Sequence, residues 1–334
     1  MYLGALSCKI DIAGKYTIRG LTELEVKKSV HSIINTGKLT LPLTYFIRNN
    51  NIKESVKLID KIKEGDSINI AIGYDGNNKQ CFNGYIKRIN PKQPLELELE
   101  DKLYLFKKLE LKKSFKKADV KEVINYLIDE CYKKFGVRFK IYANMPSLTV
   151  YNFLINGANG ISVLNELKEK YGLSSFLMND DETLYCGLTY GYKGNTVKYV
   201  LNRNTISVDD LKFTTAADKV YKVKYVHNMP NGKTKSYEFG DKLGEALQDV
   251  HINGNATFEE IKHWANAYMA AFKTGGYKGS FTTFLVPGIN VCDIANIEDP
   301  QFDNRKGHYY AATVVTNFGV SGGGKLKVEI DFKT

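Results

Sequence analysis

The chain has 334 residues and a formal net charge of +10, from 47 Lys and Arg against 37 Asp and Glu. Its hydrophobic fraction of 43% and charged fraction of 25% are ordinary for globular proteins, which excludes extended disorder and fibrous repeats. No apolar run approaches the roughly 18–20 residues of a membrane helix, so we expect no membrane insertion by this chain. The length predicts two domains or slightly more.

Residues 1–109 have the alternating pattern of β-strands. An Asp-Gly pair at 75–76 predicts a tight hairpin, and residues 53–62 form either one short helical turn or a loop. These features predict a first small antiparallel β-barrel. Its expected strands are residues 7–12, 16–26, 38–47, 67–72, 82–89 and 95–100.

Residues 110–204 combine helical and strand patterns and are predicted to form an inserted α/β domain. Apolar residues recur every three or four positions over residues 120–135, behind Asp119 as N-cap and before Gly136. A second helix is expected over residues 162–171, ended by Gly172. A hairpin of residues 174–178 and 183–188 follows.

Residues 205–239 and 276–334 are predicted to form a second β-barrel, which a helical segment at 240–275 interrupts. Within that segment, a helix over residues 257–273 begins at Thr257, with Glu260 at the capping-box position. The overall fold class is therefore α+β and mainly β. The expected strands of this half are residues 211–213, 219–227, 234–239, 277–285, 290–294, 309–317 and 325–332.

The two halves share a degenerate repeat. Each runs from a glycine turn through an alternating strand and a Gly-aromatic strand to a final alternating strand that ends in an acid. The repeat predicts two copies of one barrel. The motif positions of the two copies are Gly65, Asp66, Gly73, Tyr74, Gly84, Tyr85 and Asp101, and then Pro287, Gly288 and Tyr310.

The cysteines bear on the compartment in which the protein folds, and the lysines bear on its binding partners. Five scattered cysteines without a CxxC spacing predict buried free thiols in a reducing cytoplasm, and we find no export signal at the N-terminus. Eight lysines lie within residues 102–121, against Glu110 and Asp119. They form either a solvated face or a contact with an acidic protein or nucleic acid.

Motifs for cofactors and metals are incomplete. The segment from Gly319 to Lys325 has the G-x4-G-K spacing of a phosphate-binding loop, but Leu326 replaces the required Ser or Thr and a strand pattern follows, which predicts a hairpin loop. Glu260 and His263 are spaced for a carboxylate-bridged metal pair, yet no second copy exists. The remaining histidines are isolated. We therefore expect no cofactor and no metal.

No catalytic constellation stands out, so we expect a protein that is not an enzyme. Nucleophile signatures are absent from the sequence. The acidic pairs at 180–182 and 209–210 fall in apparent turns, where acids commonly bond the local backbone, although sequence cannot test a glycosidase arrangement. The 22 tyrosines and 17 phenylalanines either line a carbohydrate or protein surface or fill strand-rich cores.

The order of these motifs resembles one known family. Residues 65–76, 82–86 and 95–101 resemble the first barrel of phage tail baseplate hub proteins of the late control D family, which are also similar to the N-terminal part of VgrG spikes. The run from Pro287 through Tyr310 and the glycine loop resembles the second barrel. The helix with Trp264, followed by Gly275 and Gly276, matches the family's approach to that barrel.

The resemblance implies a structural virion protein of a phage tail or a contractile injection system. Family hubs are homotrimers whose two barrels per chain form a pseudo-sixfold ring, which joins a sixfold tail tube to a threefold spike. The implied partners are tube protein, spike or tail-tip protein and other baseplate proteins, with transient DNA passage through the conduit. The motif positions given above would lie at ring interfaces, and the helical segment would pack with the α/β part.

One departure from the family and one alternative complete the prediction. Some relatives carry a fused spike or cell-wall hydrolase, whereas this sequence ends at the second barrel, so such a part is expected on a separate chain. The expected location is the virion tail, after assembly in the host cytoplasm. The alternative function is a tail-tip protein that binds carbohydrate or hydrolyses cell wall.

Overall fold

The computed structural model describes residues 4–49, 52–144, 148–215, 220–229, 232–253, 256–272 and 275–333. Strands account for 52% and helices for 16%, which confirms the predicted α+β, mainly β class. The chain divides into two compact units. The first unit comprises Met1–Val197, Thr282–Asp293 and Ala311–Glu329, and the second comprises Lys198–Phe281, Ile294–Tyr310 and Ile330–Thr334. The predicted division at 109, 204, 239 and 275 stays a prediction.

Among the described residues, fourteen strands precede residue 188. In chain order they are β1 (Leu6–Ile12), β2 (Tyr16–Ile18), β3 (Glu23–Ser29), β4 (Thr36–Leu41), β5 (Thr44–Asn49), β6 (Ile52–Lys57), β7 (Ser67–Tyr74), β8 (Asn77–Asn90), β9 (Leu95–Asp101), β10 (Leu111–Asp119), β11 (Lys140–Asn144), β12 (Thr149–Ala158), β13 (Ser174–Leu177) and β14 (Thr183–Gly187).

The remaining strands follow the second helix of the insertion. They are β15 (Thr196–Val200), β16 (Thr205–Ser207), β17 (Leu211–Thr214), β18 (Tyr221–Asn228), β19 (Thr234–Gly240), β20 (Glu245–Ala246), β21 (Val250–Asn253), β22 (Gly276–Phe284), β23 (Ile294–Glu298), β24 (Gly307–Gly319) and β25 (Gly323–Lys333). The helices are α1 (Tyr104–Lys107), α2 (Val120–Phe135), α3 (Gly160–Tyr171) and α4 (Phe258–Phe272).

An antiparallel sheet forms the framework of the first unit. Its strand order is β24-β3-β4-β9-β8-β7-β1-β2, and the inward side chains of β1, β4, β7 and β9 are almost wholly buried. At the β7–β8 turn, Asp75 and Gly76 both have positive φ, of 52° and 83°, as the Asp-Gly hairpin prediction requires. Burial of alternate residues fixes the register of these strands.

The α/β part of the first unit has a separate core. Asp119 accepts a bond from the Lys121 amide and forms a capping box with Glu122, while Gly136 ends α2 with φ of 70°. Helix α3 begins at Gly160, two residues earlier than predicted, because Asn159 caps it. Strands β10 and β12 pair antiparallel, and β11, β14 and β13 form a three-stranded sheet. The sequence patterns did not reveal β10, β11 or β12.

The second unit contains a sheet centred on β18, which pairs with β19, β20 and β21. Helix α4 packs Ile261, Ala265 and Met269 onto the buried tyrosines and valine of β18. Thr257 and Glu260 bond one another reciprocally at the start of α4, which confirms the predicted capping box. Strand β17 pairs with β22 in register.

Both halves contain three strands that are consecutive in sequence and adjacent in the sheet. These are β7, β8 and β9 in the first half and β23, β24 and β25 in the second. In each set the Gly-aromatic strand is the middle one. The prediction of two copies of one barrel stays a prediction.

Four local predictions were wrong. Residues 290–294 are not a strand, because Cys292 has φ of 71° and Asp293 turns back to accept the Asn290 amide, so the strand starts at Ile294. Residues 53–62 begin with the strand β6 and only then form a short 3₁₀ turn at Leu58–Asp60. The expected strand over residues 16–26 is divided into β2 and β3. The expected strand over residues 38–47 is divided into β4 and β5, which belong to different sheets.

Candidate functional site

The first two motif positions, Gly65 and Asp66, form backbone hydrogen bonds with Ile86 of β8. Gly65 donates its amide to the Ile86 carbonyl at 2.8 Å, and the Ile86 amide donates to the Asp66 carbonyl at 2.9 Å. The Asp66 carboxylate accepts the Lys63 amide at 2.9 Å. Gly65 has φ of 89°, a conformation that glycine adopts at low cost. These residues position a strand rather than a ligand.

Gly73 and Gly84 allow close strand contacts. A Cβ atom on Gly73 would lie 2.0 Å from the Asn77 carbonyl oxygen, and one on Gly84 would lie 2.1 Å from the Glu100 carbonyl oxygen. Next to Gly84, the ring of Tyr85 stacks on Tyr104, with 5.5 Å between centroids. At the end of β7, burial raises the pKa of Tyr74.

Asp101 is buried at the end of β9, with 1% of its surface exposed. Its carboxylate accepts the backbone amides of Asn35 at 2.8 Å and Leu103 at 3.0 Å. Loss of hydration outweighs these two bonds and raises the pKa of Asp101 to about 7. From the sequence alone, Asp101 was identified only as the acidic residue at the end of the first copy of the repeat.

The second set of motif positions is divided between the units. Pro287 and Gly288 lie in the loop that precedes the Asn290–Asp293 turn of the first unit. Tyr310 belongs to the second unit, where it is fully buried opposite Ile294. Gly73, Gly84, Asp101 and Tyr310 are buried within the chain, whereas the other six motif residues are exposed or half-exposed. A role at ring interfaces stays a prediction for all ten positions.

A buried ion pair that the sequence did not reveal lies close to Asp101. Lys28 on β3 and Asp181 in the β13–β14 turn are 3.2 Å apart, and their side chains are 15% and 3% exposed. Gln80 donates a second bond to the same carboxylate at 2.9 Å. Because 153 residues separate Lys28 from Asp181, no local pattern could have indicated this pair.

The outward face of β9 carries a charge ladder. Glu96 binds Lys38 and Lys92, each at 2.9 Å, and these bonds lower the pKa of Glu96 to about 2. Glu100 binds Lys107 at 2.7 Å and Lys87 at 3.4 Å. The lysines of this face are thus neutralised by the strand beside them.

A groove of about 580 Å³ lies over this ladder. Its walls carry both signs of charge and include residues of the hairpin loop after β24. This composition suits a protein contact better than a small apolar ligand. The lining includes Glu23, Glu25, Lys38, Thr40, Glu96, Asn317, Ser321 and Gly323.

The phosphate-loop and metal spacings do not build sites. The glycine segment is the β24–β25 hairpin loop, as predicted, and β25 follows where a phosphate-binding loop needs a helix. Glu260 is engaged with Thr257 at the start of α4. Within the part of the chain that the structure describes, no three His, Cys, Asp or Glu side chains cluster as metal ligands.

The acidic residues of the two turns have different partners. Asp180 accepts the Glu182 and Thr183 amides at 3.0 and 2.8 Å, as the turn interpretation predicts. Asp209 accepts the Ser207 hydroxyl at 2.8 Å, and Asp210 accepts the Ser280 hydroxyl at 3.2 Å. Bonding to the local backbone is therefore confirmed for Asp180, whereas the carboxylates of Asp209 and Asp210 bond side chains.

A tyrosine cluster lies on the three-stranded sheet of the first unit. The ring of Tyr142, which is 42% exposed, is 5.5 Å from Tyr192 and stacks toward buried Tyr185 at 6.0 Å. Leu188, 61% exposed, begins the loop that carries Tyr192. The Asn144 side chain donates to the Gly191 carbonyl and fixes this loop.

All five cysteines are free thiols, as predicted, and four of them are buried. Burial raises the pKa of the half-buried Cys81 to about 12 and that of Cys131 to about 12. Thiols held in the protonated form are poor nucleophiles. None of the helices in the described ranges is long and apolar enough to cross a bilayer.

Comparisons with known proteins identify the fold. No family model and no curated protein sequence matches the chain. Among solved structures, the tail protein of Neisseria meningitidis MC58 matches with a TM-score of 0.64 at 10% identity, over 98% of this chain and 96% of that one. The 43 kDa tail protein of prophage MuSo2 from Shewanella oneidensis matches with a TM-score of 0.60 at 13% identity, over 97% of both chains.

A secretion protein shares the same fold. An Escherichia coli component of the type VI secretion system matches with a TM-score of 0.59 at 8% identity, over 98% of this chain and 77% of that one. Together, the three structures confirm, at the level of the fold, the resemblance to phage tail proteins and their type VI secretion relatives. Identities of 8–13% are too low to transfer an activity.

Proposed function

We propose that this chain is a structural protein of a phage tail or of a related injection machine. The observation that carries the proposal is the end-to-end likeness to two tail proteins, because 97–98% of this chain is covered with almost no unmatched segment in either relative. A shared local motif would not extend over the whole chain. The free thiols and the absence of a metal cluster among the described residues are compatible with a structural role.

The finer proposal is a trimeric baseplate or tail-tip hub. Each chain carries the strand order β7-β8-β9 and its counterpart β23-β24-β25, so three chains would present six similar elements. Six similar elements on a threefold body match a sixfold tube on one side and a threefold spike or tip on the other. The hub would bind tube protein, spike or tip protein and other baseplate proteins, and its opening would pass DNA or effectors.

Electron microscopy of the purified chain tests the hub. We expect class averages with threefold symmetry and a central opening. Particles without an opening at every concentration examined would contradict the hub, while leaving the fold assignment intact.

A second candidate function is carbohydrate binding at the tail tip, which the tyrosine cluster favours. Exposed tyrosine rings offer flat apolar faces beside hydroxyl groups, and the loop with Tyr192 is held in place before any ligand arrives. Binding of peptidoglycan fragments that is lost in Tyr142→Ala would support this function. Turnover of peptidoglycan by the purified chain would show a hydrolase and contradict a purely structural role.

A further inference from the structure

The lysine-rich segment after the first sheet forms a ribbon with one open face. Strand β10 pairs with β12 in a two-stranded antiparallel sheet. Phe115 lies opposite Phe153, and both side chains are buried in the core beneath the ribbon. Ser114 and Lys116, on either side of Phe115, and Asn152 and Leu154, on either side of Phe153, are exposed and point away from that core.

We define the ribbon face as the outward side chains of this sheet. Ser114 lies directly opposite Leu154, and Lys112 lies opposite Asn156. Every member of the face is exposed, and Leu154 is 63% exposed. The members are Lys112, Ser114, Lys116, Asn152, Leu154 and Asn156.

Charge distinguishes the ribbon face from the ladder on β9. The four ladder lysines are paired with glutamates, whereas Lys112 and Lys116 form no ion pair among the described residues. The ribbon face itself contains no acidic residue. Residues 102–172 hold 14 Lys and Arg against seven Asp and Glu, so most of the net charge lies in this region.

Two other lysines of β10 contact aromatic rings. Lys113 lies 4.5 Å from the ring centroid of Tyr126, and Lys117 lies 6.0 Å from that of Tyr151. Tyr126 packs against the core, whereas the ring of Tyr151 is 63% exposed. Lys112 and Lys116 have no such role, so their charges remain available to a partner.

We propose that the ribbon face binds an acidic, extended segment of a partner protein. Lys112 and Lys116 are four residues apart on one strand, which separates their backbones by about 13 Å, and Leu154 lies between them on the neighbouring strand. A complementary strand therefore carries two carboxylates four residues apart with an apolar residue midway, in the order Glu-x-Leu-x-Glu. The central apolar contact would exclude water from two weak ion pairs.

Protein fits this face better than nucleic acid. An exposed leucine at the centre has no complementary group on a phosphate backbone, and the face has no arginine to bind a base edge or a phosphate with two bonds. DNA is therefore the competing outcome of the test. The proposal holds whether or not the chain is a trimeric hub.

Fluorescence anisotropy with a labelled peptide of Glu-Thr-Leu-Thr repeats tests the proposal on the full chain. We expect binding that weakens with salt, and about tenfold weaker binding by the double variant Lys112→Glu and Lys116→Glu. Leu154→Ser should weaken binding about fivefold, because the apolar contact is lost. The matched control is Lys61→Glu with Lys63→Glu. This double variant reverses the charge of two exposed lysines outside the ribbon face and should bind the peptide like the wild type.

Three outcomes would overturn the proposal. One is a wild-type chain that does not bind the peptide. Another is a double variant of Lys112 and Lys116 that binds the peptide as tightly as the wild type does, after circular dichroism has shown that the variant is folded. The third is tighter binding of a short DNA duplex than of the peptide, with the same dependence on Lys112 and Lys116, which would make the ribbon face a nucleic-acid surface.

Discussion

Gly84 on β8 lies directly opposite Asp101 on β9, and the two backbones approach so closely that a Cβ on Gly84 would be 2.7 Å from the Asp101 Cα. Both residues belong to the repeat motif that the sequence suggested. The contact explains why a glycine precedes an aromatic residue at this point of the middle strand. It also places the buried Asp101 at a close backbone contact between β8 and β9.

Gly84→Ala is predicted to destabilise the protein. The added methyl group meets the Glu100 carbonyl oxygen, which belongs to rigid sheet backbone, so strands β8 and β9 must separate. We expect a loss of about 1–3 kcal/mol in the free energy of unfolding, measured by urea denaturation. Gly20→Ala is the matched control, because no atom lies within 4 Å of its Cβ position and its φ is not positive. An equal effect of both variants would refute the steric explanation.

The pKa of Asp101 predicts a pH dependence of stability. Its folded pKa of about 7 lies above the value of about 3.9 for an unfolded aspartate, so unfolding releases a proton between these pH values. Stability from this group is complete below about pH 4 and is lost as the pH rises through about 7. We expect the wild type to lose more unfolding free energy between about pH 5 and about pH 8 than Asp101→Asn, which cannot ionise. If the free energy of unfolding changes equally with pH in the two proteins, Asp101 is already ionised at low pH and the prediction is wrong.

Removal of Lys28 is predicted to leave Asp181 buried without its ion-pair partner. An unpaired buried charge is costly, so Lys28→Met should lower the free energy of unfolding by about 3–5 kcal/mol. Adding Asp181→Asn should recover part of this loss, since the charge is then gone. The matched control is Lys140→Ala, which breaks the exposed pair with the neighbouring Glu182 and should cost less than about 1 kcal/mol. If Lys28→Met and Lys140→Ala lower the free energy of unfolding equally, burial does not make the Lys28–Asp181 pair more important for stability than an exposed pair.

Local patterns predicted the elements whose signals are local. Helix α2 matches its predicted bounds because Asp119, Gly136 and the apolar spacing between them act within one element. The β7–β8 hairpin likewise follows from Asp75 and Gly76. The repeat was visible because the Gly-aromatic strand and the alternating strands are short and regular.

Elements fixed by distant contacts were missed. In β10, lysines at adjacent positions obscure the alternation that Phe115 and its partner Phe153 make evident once paired. The turn before Ile294 is held by Asp293, whose carboxylate accepts the amides of Asn290 and Asn195 at 2.8 Å. A residue almost a hundred positions away cannot be inferred from a strand pattern.

The candidate site was predictable in part. The motif glycines and Asp66 were found from the sequence, but their roles in backbone contacts required the structure. The Lys28–Asp181 pair and the open face around Leu154 depend on which strands are neighbours. The lysine count indicated a basic region, whereas the structure was needed to distinguish the lysines that contact rings from those that do not.

The mass of the purified chain in solution tests the central proposal most directly. Light scattering coupled to size-exclusion chromatography should give three times the 37.7 kDa chain mass if the chain assembles as a trimeric hub. The same value should persist on dilution if the ring is a stable interface. A mass of 37.7 kDa at all concentrations, including the highest attainable, would contradict the trimeric hub.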